Sequence, residues 1–363
     1  MNKFLTNRQI SVILFSVIVG YTVTSLPKNI AEKAGTASWL VLLIGTIIFI
    51  FITYIIIFLQ NVYEGKTIYE YGQQLVGKFI AFIFLILYLV YFFTYFTMFI
   101  RGASESIKTN ILAKTPLIYI SIIFSIVIGY SLIKGINVIA RACEIYVTII
   151  ILGYILIFFL LATQGQLVNI KPLFVASDIV KYFEAIPRTS LPFLGMEILL
   201  FIPISRSENK NIYRYTLLMI GFIGILYIYI VESVISVVGV ELVVMLNSPV
   251  VSVLRGIDIP SLEFIRRVDG IYFIFRMMNL SCGISIWGYG IAFILNKIFR
   301  SVNYSFMVII IIFISIIVSQ IPNTTFMQEL IIKYNSYLGI VLVFVIPVIL
   351  FIITKVKKYD KKI

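Results

Sequence analysis

The sequence predicts an all-α polytopic membrane protein with ten transmembrane helices. Of the 363 residues, 61% are hydrophobic and only 12% are charged, whereas soluble proteins carry about 25% charged residues. The apolar residues form ten stretches, each close to the ~20 residues that a spanning helix needs. A soluble core could not bury this much apolar surface, so a soluble globular enzyme and a disordered chain are excluded.

The ten apolar stretches, numbered spans 1 to 10, leave no room for a separate soluble domain. Chain 1–363 is therefore interpreted as a single transmembrane domain that ends in a basic cytoplasmic tail at 355–363. Span 1 is too long, too interrupted and too weakly charged on its N-terminal side to be a cleaved signal peptide. The spans are 10–30, 38–60, 79–104, 116–133, 142–163, 186–205, 213–240, 268–296, 303–321 and 335–354.

The positive charge of the chain predicts its orientation in the membrane. The net charge is +13, which in a membrane protein reflects topology and lipid headgroups rather than nucleic-acid binding. With the N-terminus in the cytoplasm, 16 of the 29 Lys and Arg residues lie on the cytoplasmic side and 12 lie outside. An even number of spans then places both termini in the cytoplasm. The basic tail is expected either to contact anionic lipid or simply to be solvated.

Residue types that several kinds of catalytic site require are missing from the sequence. There is no histidine, which excludes imidazole proton relays, His-based metal sites and Ser-His-Asp triads. Cys143 and Cys282, the two cysteines, each lie in an apolar run, where we expect small buried hydrophobes rather than a disulfide or metal ligands. No nucleophile–base pair or metal cluster is visible, so we predict no catalytic residue, no metal site and no cofactor.

Glycine and proline interrupt spans 1 and 6 at corresponding positions. Gly20 and Pro27 interrupt span 1, and Pro192, Gly195 and Pro203 interrupt span 6. Proline removes a backbone hydrogen bond and glycine permits unwinding, and in a membrane the freed groups must line a cavity or be buried in protein. Two interrupted helices at equivalent places in a five-plus-five inverted repeat indicate a transporter-type binding site. The alternative is that Gly and Pro are simply common in membrane helices.

The two halves of the predicted repeat are residues 10–163 and 186–354. Unwinding near Gly20 would expose N–H groups that suit a carboxylate. Unwinding near Gly195 would expose carbonyl groups that suit an ammonium group. Together, the two interruptions fit a small zwitterion such as an amino acid.

Few ionisable residues lie inside the spans, so each is a candidate for function or for pairing. Glu197, in span 6, is expected to bind ligand, to carry a proton, or to accept backbone N–H bonds where the helix resumes. Glu232 in span 7 and Arg276 in span 8 are expected to form a structural ion pair, with a transport role as the alternative. Arg101 and Glu105, near the end of span 3, have the spacing of an i,i+4 pair.

Two spans carry aromatic or small residues along one face. Tyr88, Tyr91 and Tyr95 share a face of span 3, where they offer apolar walls with polar tips. Gly283 and Trp287 share a face of span 8, where glycine makes room beside a large ring. Ordinary aromatic packing and close helix contact are the alternatives.

Four segments carry a resemblance to a known family. They are Gly20 to Pro27, Ala37-Ser38-Trp39, Phe193-Leu194-Gly195-Met196-Glu197 with Leu200-Phe201-Ile202-Pro203, and Glu263-Phe264-Ile265-Arg266-Arg267-Val268-Asp269. They resemble the B subunits of spore germinant receptors, the endospore germination permeases of the amino acid–polyamine–organocation superfamily. The span 6 segment is the most specific of the four. In length and span layout the resemblance covers essentially the whole chain.

The resemblance implies a LeuT-type fold in which helices 1 and 6 are broken at the ligand site. It implies binding of a nutrient germinant, often an amino acid, in the inner membrane of a dormant spore. It also implies assembly with a receptor A subunit, a multi-span protein with a soluble domain, and with a lipoprotein C subunit. With Glu197 added for its position in span 6, the predicted ligand-binding residues are Gly20, Tyr21, Thr22, Tyr91, Tyr95, Leu194, Gly195, Glu197, Gly283 and Trp287.

The sequence departs from the family pattern at Thr22, where family members often have a second glycine. Because its methyl and hydroxyl groups change the size of the pocket, alanine is not assumed to be the ligand. The predicted function is a germinant-sensing subunit that signals to its partners by shifting between conformations. The alternative is a secondary transporter of amino acids or small solutes, since both functions need the same pocket. A membrane enzyme has little support.

Overall fold

The computed structural model describes residues 4–256 and 268–359. Within these ranges the chain is helical and contains no β-strand. The α-helices are α1 Asn7–Thr22, α2 Leu26–Ala34, α3 Ser38–Val62, α4 Ile68–Val76, α5 Lys78–Asn110, α6 Leu117–Lys134, α7 Ile136–Ala162, α8 Ile179–Phe193, α9 Ile212–Met245, α10 Pro249–Arg255, α11 Val268–Ile298, α12 Tyr304–Ser319, α13 Thr325–Ile340 and α14 Ile346–Val356. Shorter helical turns are 3₁₀ at Gly35–Ala37, Ala176–Asp178 and Met196–Phe201, and π at Val341–Val345.

Each predicted span coincides with one helix or with two or three consecutive helical pieces. Seven of the described helical segments are long and apolar enough to cross a membrane, and α12 is a shorter apolar helix. The helices α1 and α8 are short because the interruptions divide spans 1 and 6 into pieces. The chain is therefore an integral membrane protein, while the count of ten spans and the boundaries of the repeat stay predictions.

Large apolar side chains cover the outward faces of the helices. Ile123, Leu152 and Phe313 expose about two thirds of their surface, at 66%, 66% and 65%. Patches of this kind are unfavourable in water but are the normal surface of a helix that faces lipid. The high apolar content of the sequence is thus divided between a packed interior and a lipid-facing exterior.

Helix α11 lies at the centre of the bundle, against α1, α5 and α7. Its contact with α1 brings the two backbones together. A Cβ atom at Gly283 would lie 2.8 Å from the carbonyl oxygen of Ser16, and one at Gly20 would lie 3.4 Å from the carbonyl oxygen of Asn279. Small residues let membrane helices approach this closely, so the two glycines set the spacing between α1 and α11.

Both predicted interruptions are present, but the break in span 1 lies later than expected. In span 6, α8 ends at Phe193 and a 3₁₀ turn begins at Met196. In span 1, Gly20 and the two residues after it are still helical, and the chain leaves the helix at 23–25. Pro27, in the first turn of α2, explains this position, because proline cannot donate to the carbonyl four residues earlier and its ring clashes there.

One predicted ion pair forms and the other does not. Arg101 Nε lies 2.8 Å from Glu105 Oε1, which confirms the i,i+4 pair. The prediction of an ion pair between Glu232 and Arg276 is wrong, since neither residue takes part in an ion pair with any described residue. The reason is topological: α9 and α11 each pack on α1 and α7, which lie between them. The guanidinium of Arg276 instead donates to Ser106 Oγ at 2.9 Å.

The two cysteines lie in the described part of the chain, whereas parts of two of the segments singled out in the sequence do not. Cys143 and Cys282 are buried free cysteines, as predicted. The family-like residues 263–267 and the tail residues 360–363 lie outside the described residues, as do residues 1–3.

Outside the spans, α4 is tied to the end of α11. Lys297 Nζ donates to Glu70 Oε1, and the backbone N–H of Thr67 donates to Glu70 Oε2 at 2.8 Å. Burial raises the pKa of Glu70, but the bonds from Lys297 and Thr67 outweigh burial and hold the pKa below its usual value. Glu70 therefore stays ionised at neutral pH and anchors α4 to the bundle.

We expect Gly283→Ala to lower the free energy of unfolding by about 1–3 kcal/mol, because the added methyl group meets the backbone oxygen of Ser16, which cannot rotate away. The measurement is thermal unfolding of the purified protein in detergent. Gly270→Ala is the matched control on the same helix, since a Cβ there meets nothing within 4 Å, and it should be neutral or stabilise by up to ~1 kcal/mol. Equal effects of the two variants would contradict the close α1–α11 contact.

Candidate ligand-binding site

The break in span 6 is built around Gly195. Its φ of +120° lies where side chains other than hydrogen are strained. Pro192, inside the last turn of α8, removes a backbone donor just before the break. A Cβ atom at Gly195 would lie 3.1 Å from both methyl groups of Val17 and 3.3 Å from its carbonyl oxygen. The broken segment therefore rests directly on α1.

Glu197 closes this break from the other side. Its carboxylate is fully buried and accepts the backbone N–H of Gly195 at 2.9 and 3.1 Å. It also accepts a hydrogen bond from the Tyr91 hydroxyl, at 2.7 Å. Of the roles left open by the sequence, accepting backbone bonds is the one that these contacts provide, and the bond from Tyr91 adds a link from span 6 to α5.

Tyr227 of α9, which sequence reasoning missed, joins the two broken spans. Its hydroxyl oxygen lies 3.0 Å from the carbonyl oxygen of Pro192 and 3.2 Å from that of Ile18. It also lies 3.0 Å from Thr22 Oγ1. No local signal marks this residue, because it stands in an apolar run of span 7. Only the packing of α9 against α1 and α3 brings it to the breaks.

Aromatic rings form one wall of the site. The ring centroids of Tyr91 and Tyr95 lie 5.6 and 5.1 Å from that of Trp287. The Tyr95 hydroxyl is hydrogen-bonded to Ser336 Oγ of α13 at 2.7 Å. The indole N–H of Trp287 is buried without a hydrogen-bond partner among the described residues. Since both tyrosine hydroxyls are hydrogen-bonded, this N–H is the free donor of an otherwise apolar wall.

The predicted site residues lie near one another but in three groups. Tyr91, Tyr95 and Trp287 form one group with Gly195 and Glu197, joined by the bonds and ring contacts described above. Tyr21 joins it through Phe99, on which its ring stacks at 4.2 Å, while Thr22 faces Tyr227. Gly20 and Gly283 form the α1–α11 crossing.

Leu194, another predicted site residue, is buried and directly follows Phe193, the last residue of α8. Tyr88, on the same face as the other two tyrosines, donates to the carbonyl of Leu342 at 2.8 Å. Its hydroxyl is thus bound to the π-helical turn before α14 rather than to a broken span.

Several buried polar groups near the breaks have no partner within 4–256 and 268–359. Both amide atoms of Asn279 lack a hydrogen bond to these residues, as does Ser16 Oγ, and both residues are fully buried. Buried polar groups are normally satisfied by protein, water or ligand. Among the described residues, no group of three or more His, Cys, Asp or Glu could hold a metal ion. The unpartnered groups of this region are donors and acceptors of hydrogen bonds.

The chain matches the family model described as "Spore germination protein" over residues 4–328. This protein belongs to the spore germination protein family. It is 26% identical to Spore germination protein A2 of Bacillus subtilis (strain 168) over 351 residues, which cover 95% of this chain and 94% of that one. It is 27% identical to Spore germination protein B2 of the same organism over 267 residues, or 73% and 72% of the two chains.

Two solved structures show that the fold of this spore germination protein is that of LeuT-type transporters. MhsT in complex with L-phenylalanine has a TM-score of 0.67 at 13% identity, covering 97% of this chain and 99% of that one. The substrate-bound outward-open state of a Na⁺-coupled sialic acid symporter has a TM-score of 0.66 at 12% identity, covering 94% and 79%. The predicted all-α, LeuT-type fold is confirmed.

We expect Tyr227→Phe to destabilise the protein by about 1–3 kcal/mol, because the carbonyls of Pro192 and Ile18 lose their shared donor in a buried place. Thermal unfolding in detergent measures the change. Tyr229→Phe, on the same helix, should stay within about 0.5 kcal/mol, since the hydroxyl of this half-buried residue makes only a 3.5 Å, solvent-exposed contact. If both variants unfold at the wild-type temperature, Tyr227 does not hold the breaks together.

Proposed function

We propose that this protein is the ligand-sensing subunit of a spore germinant receptor. It binds a small molecule, an amino acid by its chemistry, at the broken centres of spans 1 and 6 and signals to partner subunits. The observation that carries this proposal is the Gly195 break resting on Val17 of α1, with Tyr227 hydrogen-bonded to both broken spans. Membership in the spore germination family supports the biological setting.

The chemistry of the two breaks is complementary to a zwitterion. The C-terminal end of α8, at Phe193, presents carbonyl groups and the negative end of a helix dipole, which attract an ammonium group. The N-terminal end of α2, at Leu26, presents N–H groups and the positive end, which attract a carboxylate. The aromatic wall of Tyr91, Tyr95 and Trp287 encloses an apolar side chain. Thr22, which is hydrogen-bonded to Tyr227, narrows the space for the ligand on the side away from the aromatic wall.

Signalling follows from the bonds that a ligand would replace. In the structure, Tyr227 and Glu197 hold the groups that the breaks expose. A ligand that binds these groups in one conformation and not in another shifts the balance between the two. The A subunit and the lipoprotein C subunit would read that shift in the inner membrane of the spore, with both termini of this chain in the cytoplasm. The two halves, 10–163 and 186–354, are the bodies we expect to move.

A secondary transporter is the second candidate. It is favoured by the likeness in fold to a Na⁺-coupled sialic acid symporter and to a protein solved with L-phenylalanine. Uptake of radiolabelled amino acids into liposomes that contain only this chain would favour the transporter. Ligand binding without uptake would favour the receptor.

The experiment that tests the receptor function is a germination screen with and without the gene. Spores lacking it should lose the response to at least one nutrient, and the wild-type gene should restore the response. Unchanged germination with every nutrient would overturn the proposal. Gly195 is a poor probe of the site, because its φ of +120° and its contact with Val17 make a larger side chain a backbone defect as well as a cavity filler.

Trp287 offers a cleaner probe. We expect Trp287→Phe to raise the nutrient concentration for half-maximal germination by roughly tenfold, because it removes a donor that no protein group uses. Trp39→Phe is the matched control: this other tryptophan donates to the carbonyl of Leu173 in the loop after α7, away from the breaks. A dose–response identical in both variants and the wild type would exclude Trp287 from the site.

A further inference from the structure

The register between α1 and α11 places Arg276 opposite the break in span 1. The two helices run antiparallel. The first two points of contact are Gly283 against the Ser16 carbonyl, and Gly20 against the Asn279 carbonyl. Beyond them, Tyr272 Oη lies 3.1 Å from Thr24 Oγ1, and both groups are buried. Arg276 lies between Tyr272 and Asn279 in the sequence, so it stands across from 21–23, where α1 ends and the break begins.

The same four positions of α11 share one face. Tyr272, Arg276, Asn279 and Gly283 follow the spacing i, i+4, i+7 and i+11, which in an α-helix keeps residues on one side. Tyr272 and Gly283 contact α1 or its break directly. Arg276 therefore faces the break rather than lipid.

The charge of Arg276 has no counterion in the described chain. Its Nη1 donates to Ser106 Oγ at 2.9 Å, and its Nε is buried without a partner. Glu105, beside Ser106 in the sequence, is already paired with Arg101 at 2.8 Å. An unpaired cation within a membrane span is costly unless an anion or water reaches it. A guanidinium in this position is able to bind an anion at the broken span.

Asn279, one turn further along the same face of α11, supplies a second, independent observation. Asn279 is fully buried, and neither its amide N–H nor its amide oxygen has a partner in the part of the chain that the structure describes. Its backbone oxygen faces Gly20. A buried carboxamide with both ends free calls for a ligand that can donate and accept hydrogen bonds.

From these contacts we propose that Arg276 is the carboxylate-binding residue of the site, a proposal that rests on the function proposed above. The guanidinium receives the carboxylate of an α-amino acid beside the break in span 1, and the Asn279 amide bonds the polar groups next to it. Arginine suits this task because its planar fork matches a carboxylate. The ligand class is therefore amino acids with a free carboxylate, which bind more tightly than their carboxamides.

The test uses the full chain in lipid nanodiscs and thermal shift with the twenty common L-amino acids. The amino acid that stabilises the wild type most becomes the probe, together with its own carboxamide, which keeps the ammonium group and the side chain but lacks the negative charge. We expect the wild type to prefer the acid. Arg276→Gln should weaken acid binding by roughly 10- to 100-fold, the value of one or two charged hydrogen bonds, and leave amide binding unchanged.

Each outcome decides the proposal. The proposal is overturned if Arg276→Gln keeps the wild-type ratio of acid affinity to amide affinity. That includes an equal loss of both affinities, which would show a structural role. If Arg276→Gln does not fold, Arg276→Met decides by the same ratio, because an apolar chain of similar length is well tolerated where a buried charge is removed. Arg255→Gln is the control, since that arginine is exposed on α10 and pairs with Asp269. If no amino acid stabilises the wild type, the proposed ligand class itself fails; if the acid binds wild type and variant alike, only the role of Arg276 fails.

Discussion

The structure depends on the close approach of three backbones around Val17. The Gly195 break lies on one side of this residue, with 3.1–3.3 Å left for a Cβ atom, and Gly283 of α11 lies on the other. Without a side chain at either glycine, spans 1, 6 and 8 meet at main-chain distance. Their exposed backbone groups then lie within reach of one another and of a single small ligand. The bonds of Tyr227 and Glu197 and the facing position of Arg276 all follow from this contact.

The sequence predicts most of this arrangement where a rule of covalent geometry applies. Pro192 and Gly195 make the break in span 6 predictable, because the first removes a donor and the second permits a positive φ. The sequence predicts the break in span 1 near Gly20, but Pro27 determines its actual position, which is 23–25. Glycine in that helix serves contact with α11 and not unwinding.

What the sequence could not predict are contacts set by helix neighbours. Glu232 and Arg276 are opposite charges in consecutive spans, yet α1 and α7 separate their helices. Tyr227 looks like any aromatic in an apolar run and becomes central only through the packing of α9. Glu197 could be ranked as important from its position, but its tyrosine partner on α5 could not be chosen from three tyrosines on one face. Spacing determines which face a residue occupies, and only the fold determines what it meets there.

The hydroxyl of Tyr227 has one proton and faces two carbonyl oxygens, those of Ile18 and Pro192. Thr22 Oγ1, which lies 3.0 Å from the Tyr227 hydroxyl, donates to the Ile18 carbonyl at 3.2 Å. With that carbonyl bonded by Thr22, the single proton of Tyr227 is free for the Pro192 carbonyl. Two hydroxyl groups thus serve carbonyls of both broken spans, so a group that displaced either hydroxyl would change the contacts of both breaks at once.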